Sequence, residues 1–260
     1  MTDVAKLKQL LDEKVKVYNT PSFIKNDPII IPHSYTRKQD IEVAGLFSAT
    51  LAWGNRTTII NSCRRLMQLM DNAPYDFVTQ HKETDLRSFL QFVHRTYNAT
   101  DLLYFISFLR RHYAVSNTLE DAFVPGARYT EVNTGEALIH YHNYFFAEEH
   151  PERTRKHVAT PVRNSACKRL NMYLRWMVRK DRQGVDFGIW KKIKPHQLIC
   201  PLDVHVARVA YRLNLIPTEK ADWKNAVALT EQLKQLKQLN PADPAVYDYA
   251  LFGLGAEERF

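Results

Sequence analysis

Glycine is scarce in this chain: eight residues in 260. None of them forms a G-x-G-x-x-G or G-x-x-x-x-G-K-[ST] run, so the glycine-rich loops that cradle nucleotide phosphates are missing. Cysteine is scarcer still, and Cys63, Cys167 and Cys200 are scattered. They make no C-x-x-C pair, no zinc spacing and no four-thiolate set for an iron–sulfur cluster. So few thiols suit a reducing cytoplasm. The opening segment MTDVAKLKQLLDEKVK is charged throughout and does not read as a signal peptide, and no apolar run reaches membrane-spanning length. His140 and His142 would face different directions on a helix, which makes no metal site. There is no repeat and no low-complexity segment. The expectation is chemistry without a metal or cofactor.

What the chain does have is positive charge: Lys and Arg number 36 against 28 Asp and Glu, a net of +8. The stretch 161–194 accounts for all of it. Ten basic residues lie there (Arg163, Lys168, Arg169, Arg175, Arg179, Lys180, Arg182, Lys191, Lys192 and Lys194), with Asp181 and Asp186 as the only acids. Such a concentration points to a polyanion, most simply nucleic acid. The alternative is an ordinary solvated face.

Helix signals dominate the rest. Thr36 and Gln39 have capping-box spacing before an apolar stripe of Ile41, Ala44, Phe47 and Leu51. NRTTIINSCRRLMQLM reads as a second helix ending near Asn72 and Pro74. Further helices are expected from a Thr100 cap, from near Thr134, from Asn164 or Ser165, after Asp203, from Asp222 up to Asn240-Pro241, and from Asp243-Pro244 to Gly253. The stretch 181–200 reads as looser. The fold expected is all-α, a single catalytic unit with one helical bundle at about 40–165 and a second subdomain made of about 1–39 and 166–260.

Two residues stand out by position. Asp203 precedes a stripe of Val204, Val206, Val209, Ala210 and Leu213, where a carboxylate caps the first turn for ~1 kcal/mol. Lys168 falls in the first turn of the preceding long helix, whose core stripe is Ala166, Leu170, Tyr173, Leu174 and Met177. Lys168, Met172, Arg175 and Arg179 share another face of it. The positive end of the helix dipole disfavours a protonated amine there. A nucleophilic lysine needs that help, because an ordinary one is neutral in only about one molecule in a few thousand at pH 7. A plain helix cap and a solvated lysine are the competing readings.

The segment CPLDVHVARVAYRL resembles the one that carries the catalytic aspartate in helix-hairpin-helix DNA glycosylases, above all the 8-oxoguanine glycosylases. NSACKRLNMYLRW resembles their lysine helix, with Lys168 in the lysine's position. Asp203 lies 35 residues on, a wide spacing similar to that of the archaeal 8-oxoguanine enzymes. The whole chain, KQDIEVAGLFSATLAWGNR and DPAVYDYALFGLG included, also resembles an uncharacterised bacterial family associated with that superfamily. There are departures. The hairpin Leu-Pro-Gly-x-Gly is replaced by ATPVRNSACK, so Asn164 must supply any left-handed turn residue and Arg163 any phosphate contact. No cluster cysteines follow the aspartate, which excludes the iron–sulfur branch.

The resemblance implies a cleft between two helical subdomains holding Lys168 as nucleophile and Asp203 as the carboxylate that steadies a cationic sugar. The partner implied is double-stranded DNA with a flipped, damaged base, an oxidised purine such as 8-oxoguanine. The protein is expected to be monomeric and nucleoid-associated. Trp53, Trp190 and Phe252 are candidate pocket walls, and Met172, four residues after the lysine, is a candidate substrate contact without a base-specific hydrogen bond. Asn55 and Arg56 are candidates for filling the gap in the duplex. Arg163, Asn164, Arg169, Arg175, Arg179 and His205 are the candidate DNA contacts. The rival readings are a non-catalytic nucleic-acid-binding module of the same fold and an RNA-directed relative.

Overall fold

The computed structural model describes residues 3–235 and 240–258. In chain order its α-helices are α1 (Asp3–Tyr18), α2 (Pro21–Ile24), α3 (Lys38–Leu51), α4 (Arg56–Leu69), α5 (Pro74–Gln80), α6 (Ala99–Tyr113), α7 (Glu120–Phe123), α8 (Gly135–Phe145), α9 (Lys168–Val178), α10 (Val204–Arg212), α11 (Trp223–Gln235) and α12 (Tyr247–Phe252). The one sheet among the described residues is a two-stranded ribbon, β1 (Val93–His94) with β2 (Tyr97–Asn98), antiparallel, with Val93 opposite Asn98. The fold is all-α. No helix among the described residues is long and apolar enough to cross a membrane.

The chain divides into two compact units. One comprises 1–23, 128–139 and 160–260; the other comprises 24–127 and 140–159. The division falls within α8. The boundaries expected near 40 and 165 place the segment 128–139 in the helical bundle, whereas it belongs with the first unit.

The second unit is built around α3, which is buried without interruption from Ile41 to Leu51. Its core is aromatic: Phe105 meets Phe47, Tyr97 and Phe145, and Phe123 stacks on Tyr141 at 4.1 Å. A helix buried all round leaves no solvated face, so its one charged side chain there, Glu42, needs partners. Its carboxylate accepts from Tyr113 Oη (3.0 Å), Thr118 Oγ1 (2.7 Å) and the Leu119 N–H (3.0 Å). These bonds tie α3 to the end of α6 and the loop before α7.

The first unit repeats this design around α9, which is buried from Leu170 to Val178. A second apolar layer gathers Leu11 of α1, Val206, Val209 and Ala210 of α10, Leu229 and Leu233 of α11, and Ala250 and Leu251 of α12. Val204, expected in that stripe, is 60% exposed and lies off it.

Several helix starts differ from expectation because side-chain chemistry elsewhere won. Helix α3 starts after Arg37 with no side-chain cap, and Gln39 donates instead to the Asn117 carbonyl. Asn98, not Thr100, caps α6, in a capping box with Asp101. Helix α9 starts at Lys168, three to four residues later than expected, because Asn164 and Cys167 both take left-handed conformations. The first turn after Asp243 is a 3-10 turn (Pro244–Val246), and α12 runs past Gly253 into a π turn at Gly253–Glu257. The expected end of α11 before Asn240 lies outside the described residues.

Glu42 yields the first prediction. Glu42→Ala leaves three buried donors unmatched, and charged hydrogen bonds are worth about 1.5–3 kcal/mol each. Urea unfolding should show a loss of about 3 kcal/mol or more. A loss under about 0.5 kcal/mol would mean that water replaces the carboxylate.

Candidate functional site

The chain approaches Lys168 through a constrained turn. Thr160 caps the 3-10 turn Pro161–Arg163, and Asn164 follows at φ 54°. Asn tolerates that left-handed region better than most side chains. Asn164 is also latched to the start of α11. Its carbonyl accepts from the Trp223 N–H (3.1 Å), its Oδ1 accepts from the Lys224 N–H (3.3 Å), and its Nδ2 donates to Asp222 (3.4 Å). Cys167 stands at φ 48° directly before Lys168. Two non-glycine residues at positive φ within four positions are strained backbone held by their surroundings.

Lys168 is thereby fixed as the first residue of α9. Asp203 caps α10, its Oδ1 accepting from the His205 and Val206 N–H groups at 3.0 Å each. Its other oxygen, Oδ2, lies 3.9 Å from Lys168 Nζ. The division of labour inside one carboxylate is clear: one oxygen holds the helix, and the other faces the amine. Both side chains are 25% exposed, so the pair is open to a ligand. The thiol next to Lys168 is no competing nucleophile, because burial pushes Cys167 up to about 12.

Behind the pair lies a buried ion cluster. Arg175 donates through Nε to Asp186 (3.3 Å) and through Nη1 to Asp248. Arg179 reaches Asp243 (2.8 Å), Asp186 (3.0 Å) and Asp181 (2.6 Å). The Tyr249 ring lies under both guanidinium groups, 4.2 Å from Arg175 Cζ and 5.6 Å from Arg179 Cζ. Burial works against the Arg179 charge, yet Asp243 and Asp186 outweigh it and hold the guanidinium above its ordinary range. Burial pushes the Asp248 carboxyl up to about 6, against the pull of Arg175 and Lys168, with the Asp203 and Asp186 charges adding to the rise. Asp248 is thus electrostatically joined to the Lys168–Asp203 pair.

These placements correct part of the expected surface. Arg175 and Arg179 are 4% and 2% exposed and hold the fold together, so they cannot meet phosphates. Met172 is buried, and Trp190 is a core side chain set edge-on to Tyr173 at 5.3 Å, so neither lines an open pocket. Phe252 is half-buried, packs on the apolar layer of the first unit and meets Phe23 edge-on. Arg169 is half-buried. Arg163 and His205 are exposed.

Trp53, Asn55 and Arg56 lie in the second unit. Trp53 lies two residues beyond the end of α3, with Arg95 Cζ 4.7 Å from its ring centre and His94 edge-on at 6.2 Å. Gly54, at φ 109°, makes this possible: a Cβ there would come within 2.9 Å of the Arg95 guanidinium. One face of the indole is therefore already covered. Asn55 caps α4 by accepting from the Thr58 N–H at 3.3 Å. Among the described residues, no group of three or more His, Cys, Asp or Glu side chains is placed to hold a metal ion.

Sequence reading missed Asp248. Its signal was a carboxylate on the core side of a short apolar helix, between Tyr247 and Tyr249, where a charge requires a buried partner.

Two outcomes follow from the cluster. Arg179→Ala removes the ion pairs of Asp243 and Asp181 and one of the two that hold Asp186, and should cost about 3–5 kcal/mol in chemical denaturation, whereas a surface arginine would cost almost nothing. The raised Asp248 carboxyl favours the native state fully below its ordinary value of 3.8, and that contribution is lost as pH rises through about 6. Asp248→Asn does not titrate, so the variant's melting temperature should gain on wild type between pH 4 and 6 and run parallel to it above. Parallel curves throughout would remove the buried-carboxylate assignment.

Comparison with known proteins adds a family and no activity. No curated protein and no solved structure matches the chain. Residues 27–257, most of both units, match the family described as "Protein of unknown function (DUF2400)", and the chain belongs to that family.

Proposed function

We propose that this protein is a DNA glycosylase with lyase activity, acting on a damaged base, an oxidised purine of the 8-oxoguanine type. The observation that carries the reading is the Lys168–Asp203 pair. An amine at the first residue of one helix lies 3.9 Å from a carboxylate capping another, and both are partly exposed. The resemblance of both segments to the lysine and aspartate segments of helix-hairpin-helix glycosylases supports it, as does the chain's positive charge. A two-lobed arrangement of that glycosylase kind is part of the proposal.

In the proposed reaction the damaged nucleotide is flipped out of the duplex. The C1′–N bond to the base breaks with its electron pair leaving on the base, and Asp203 steadies the positive charge that builds on the sugar. The Lys168 nitrogen bonds to C1′, and the proton it gives up passes by way of the carboxylate to the departing base. Opening of the sugar ring yields a Schiff base. Loss of a C2′ proton then expels the 3′ phosphate. The carboxylate performs this role while remaining a cap, because only Oδ1 is engaged by backbone.

A second reading, a nucleic-acid-binding module without catalysis, is favoured by the turn before α9. Asn164, standing where the superfamily has hairpin glycines, directs its side chain to α11.

Borohydride trapping separates the two. Wild-type protein incubated with duplex DNA carrying 8-oxoguanine or an abasic site and then reduced should yield a covalent adduct. Lys168→Gln should abolish it while leaving DNA binding largely intact. Asp203→Asn should slow excision by at least ~100-fold yet keep the fold, since Asn and Asp cap about equally well. No adduct across a panel of damaged and abasic duplexes would leave the binding module. Full activity in Asp203→Asn would reduce the carboxylate to a cap.

A further inference from the structure

Arg175 and Arg179 are withdrawn into ion pairs, so the charge that α9 offers a polyanion is smaller than its sequence suggests, and exposed cations on other elements of the first unit come into question. Helix α10 supplies them. It buries Val206, Ala207, Val209 and Ala210 and exposes Val204, His205, Arg208, Tyr211 and Arg212. No acid lies within α10, and among the described residues neither Arg208 nor Arg212 has an ion-pair or hydrogen-bond partner. At the far end of the helix, Arg212 and the exposed Lys6 of α1 line the same hollow of about 460 Å³. Tyr211, 44% exposed, falls between the two arginines, and Val204, 60% exposed, precedes them.

We propose that the outer face of α10 is a DNA-backbone contact surface, with Arg208 and Arg212 each neutralising one phosphate of the same strand. This rests on the DNA-binding part of the function proposed above. It assigns the contact to a helix that begins at the Asp203 cap, not to the basic stretch of α9. The spacing fits. Residues four apart on a helix have Cβ atoms about 6 Å apart, and two long, unpaired guanidinium groups can span neighbouring phosphates, which advance about 3.4 Å per nucleotide along the axis. Charge complementarity selects the occupant. Two unpaired arginines on a helix that carries no acid, with an exposed tyrosine between them, suit a uniformly charged backbone with sugars between its phosphates. An acidic protein partner would have to match an unpatterned row of like charges.

The test measures duplex affinity at several salt concentrations for wild type, Arg208→Ala/Arg212→Ala and a control, Arg64→Ala/Arg65→Ala, which removes two exposed charges from α4 in the other unit. Melting curves check that all three fold. Reductive trapping on abasic DNA is run in parallel at low salt and saturating DNA. The expected result is that the α10 variant lowers the slope of log affinity against log salt by about 1.8, which is about 0.9 for each of the two phosphates no longer neutralised. The control leaves the slope unchanged. The α10 variant still forms the Lys168 adduct once saturated. An unchanged slope in the α10 variant, or an equal fall in the control, overturns the assignment while leaving the proposed function in place. A fall in slope with no adduct in wild type keeps the surface and removes the lyase. Absence of salt-dependent binding by wild type removes both.

Discussion

The constraint on which the first unit depends is the burial of two guanidinium groups, that of Arg175 within α9 and that of Arg179 at its C-terminal cap. A charge taken out of water must be compensated within a few ångströms or it unfolds its surroundings. Arg175 and Arg179 are compensated by four aspartates from three separate places in the chain: Asp181 and Asp186 just after α9, Asp243 before α12, and Asp248 within it. The looser segment 181–200 and the C-terminal helix are therefore pinned to α9 by electrostatics as well as by apolar contact. Asn19, just beyond α1, joins the cluster by donating to Asp181 at 2.6 Å.

The candidate site sits at the edge of this cluster. Lys168 is the residue at which α9 leaves the core, and its position is set from behind by the pinned helix. It is set from in front by the left-handed Asn164 and Cys167. Asp203 is held by two backbone N–H groups whose own helix is buried through Val206, Val209 and Ala210. Rigid elements, not a loop, thus bring amine and carboxylate together, which is what a pre-organised reacting pair requires. Four carboxylates against two guanidinium groups leave the cluster short of positive charge. Lys168 is a further cation that acts on Asp248, whose carboxyl is raised chiefly by burial and, to a lesser degree, by the Asp203 and Asp186 charges. Core and site therefore share one electrostatic balance.

The second unit solves the same problem with hydrogen bonds. Its central helix α3 carries a single deeply buried acid, Glu42, and satisfies it with a tyrosine, a threonine and a backbone N–H. Near the far end of α3, Trp53 is packed beneath Arg95, a residue that the ribbon turn between β1 and β2 holds at φ 55°. The two units thus rely on one rule, that a helix buried on all sides must bring its own partners for any charge it carries.

Local signals along the chain were enough to settle the helical class, most helix positions to within a few residues, the looser 181–200 segment, the cap at Asp203 and the place of Lys168 in the first turn of its helix. Apolar periodicity, Asx caps and proline punctuation act over a turn or two and can be read in a line of text. Three other features depended on packing between distant segments. One was which basic residues reach solvent: Lys168, Arg175 and Arg179 fall on one helical face, and the last two are buried among Asp181 and Asp186 nearby and Asp243 and Asp248 from 60 or more residues away. Another was the start of α9, where the latch between Asn164 and α11 overrides local helix propensity. The third was the approach of Lys168 to Asp203, which depends on where the starts of two helices, 35 residues apart in the chain, come to lie in the fold. A charge's partner is set by distance in space, and separation along the chain carries almost no information about it.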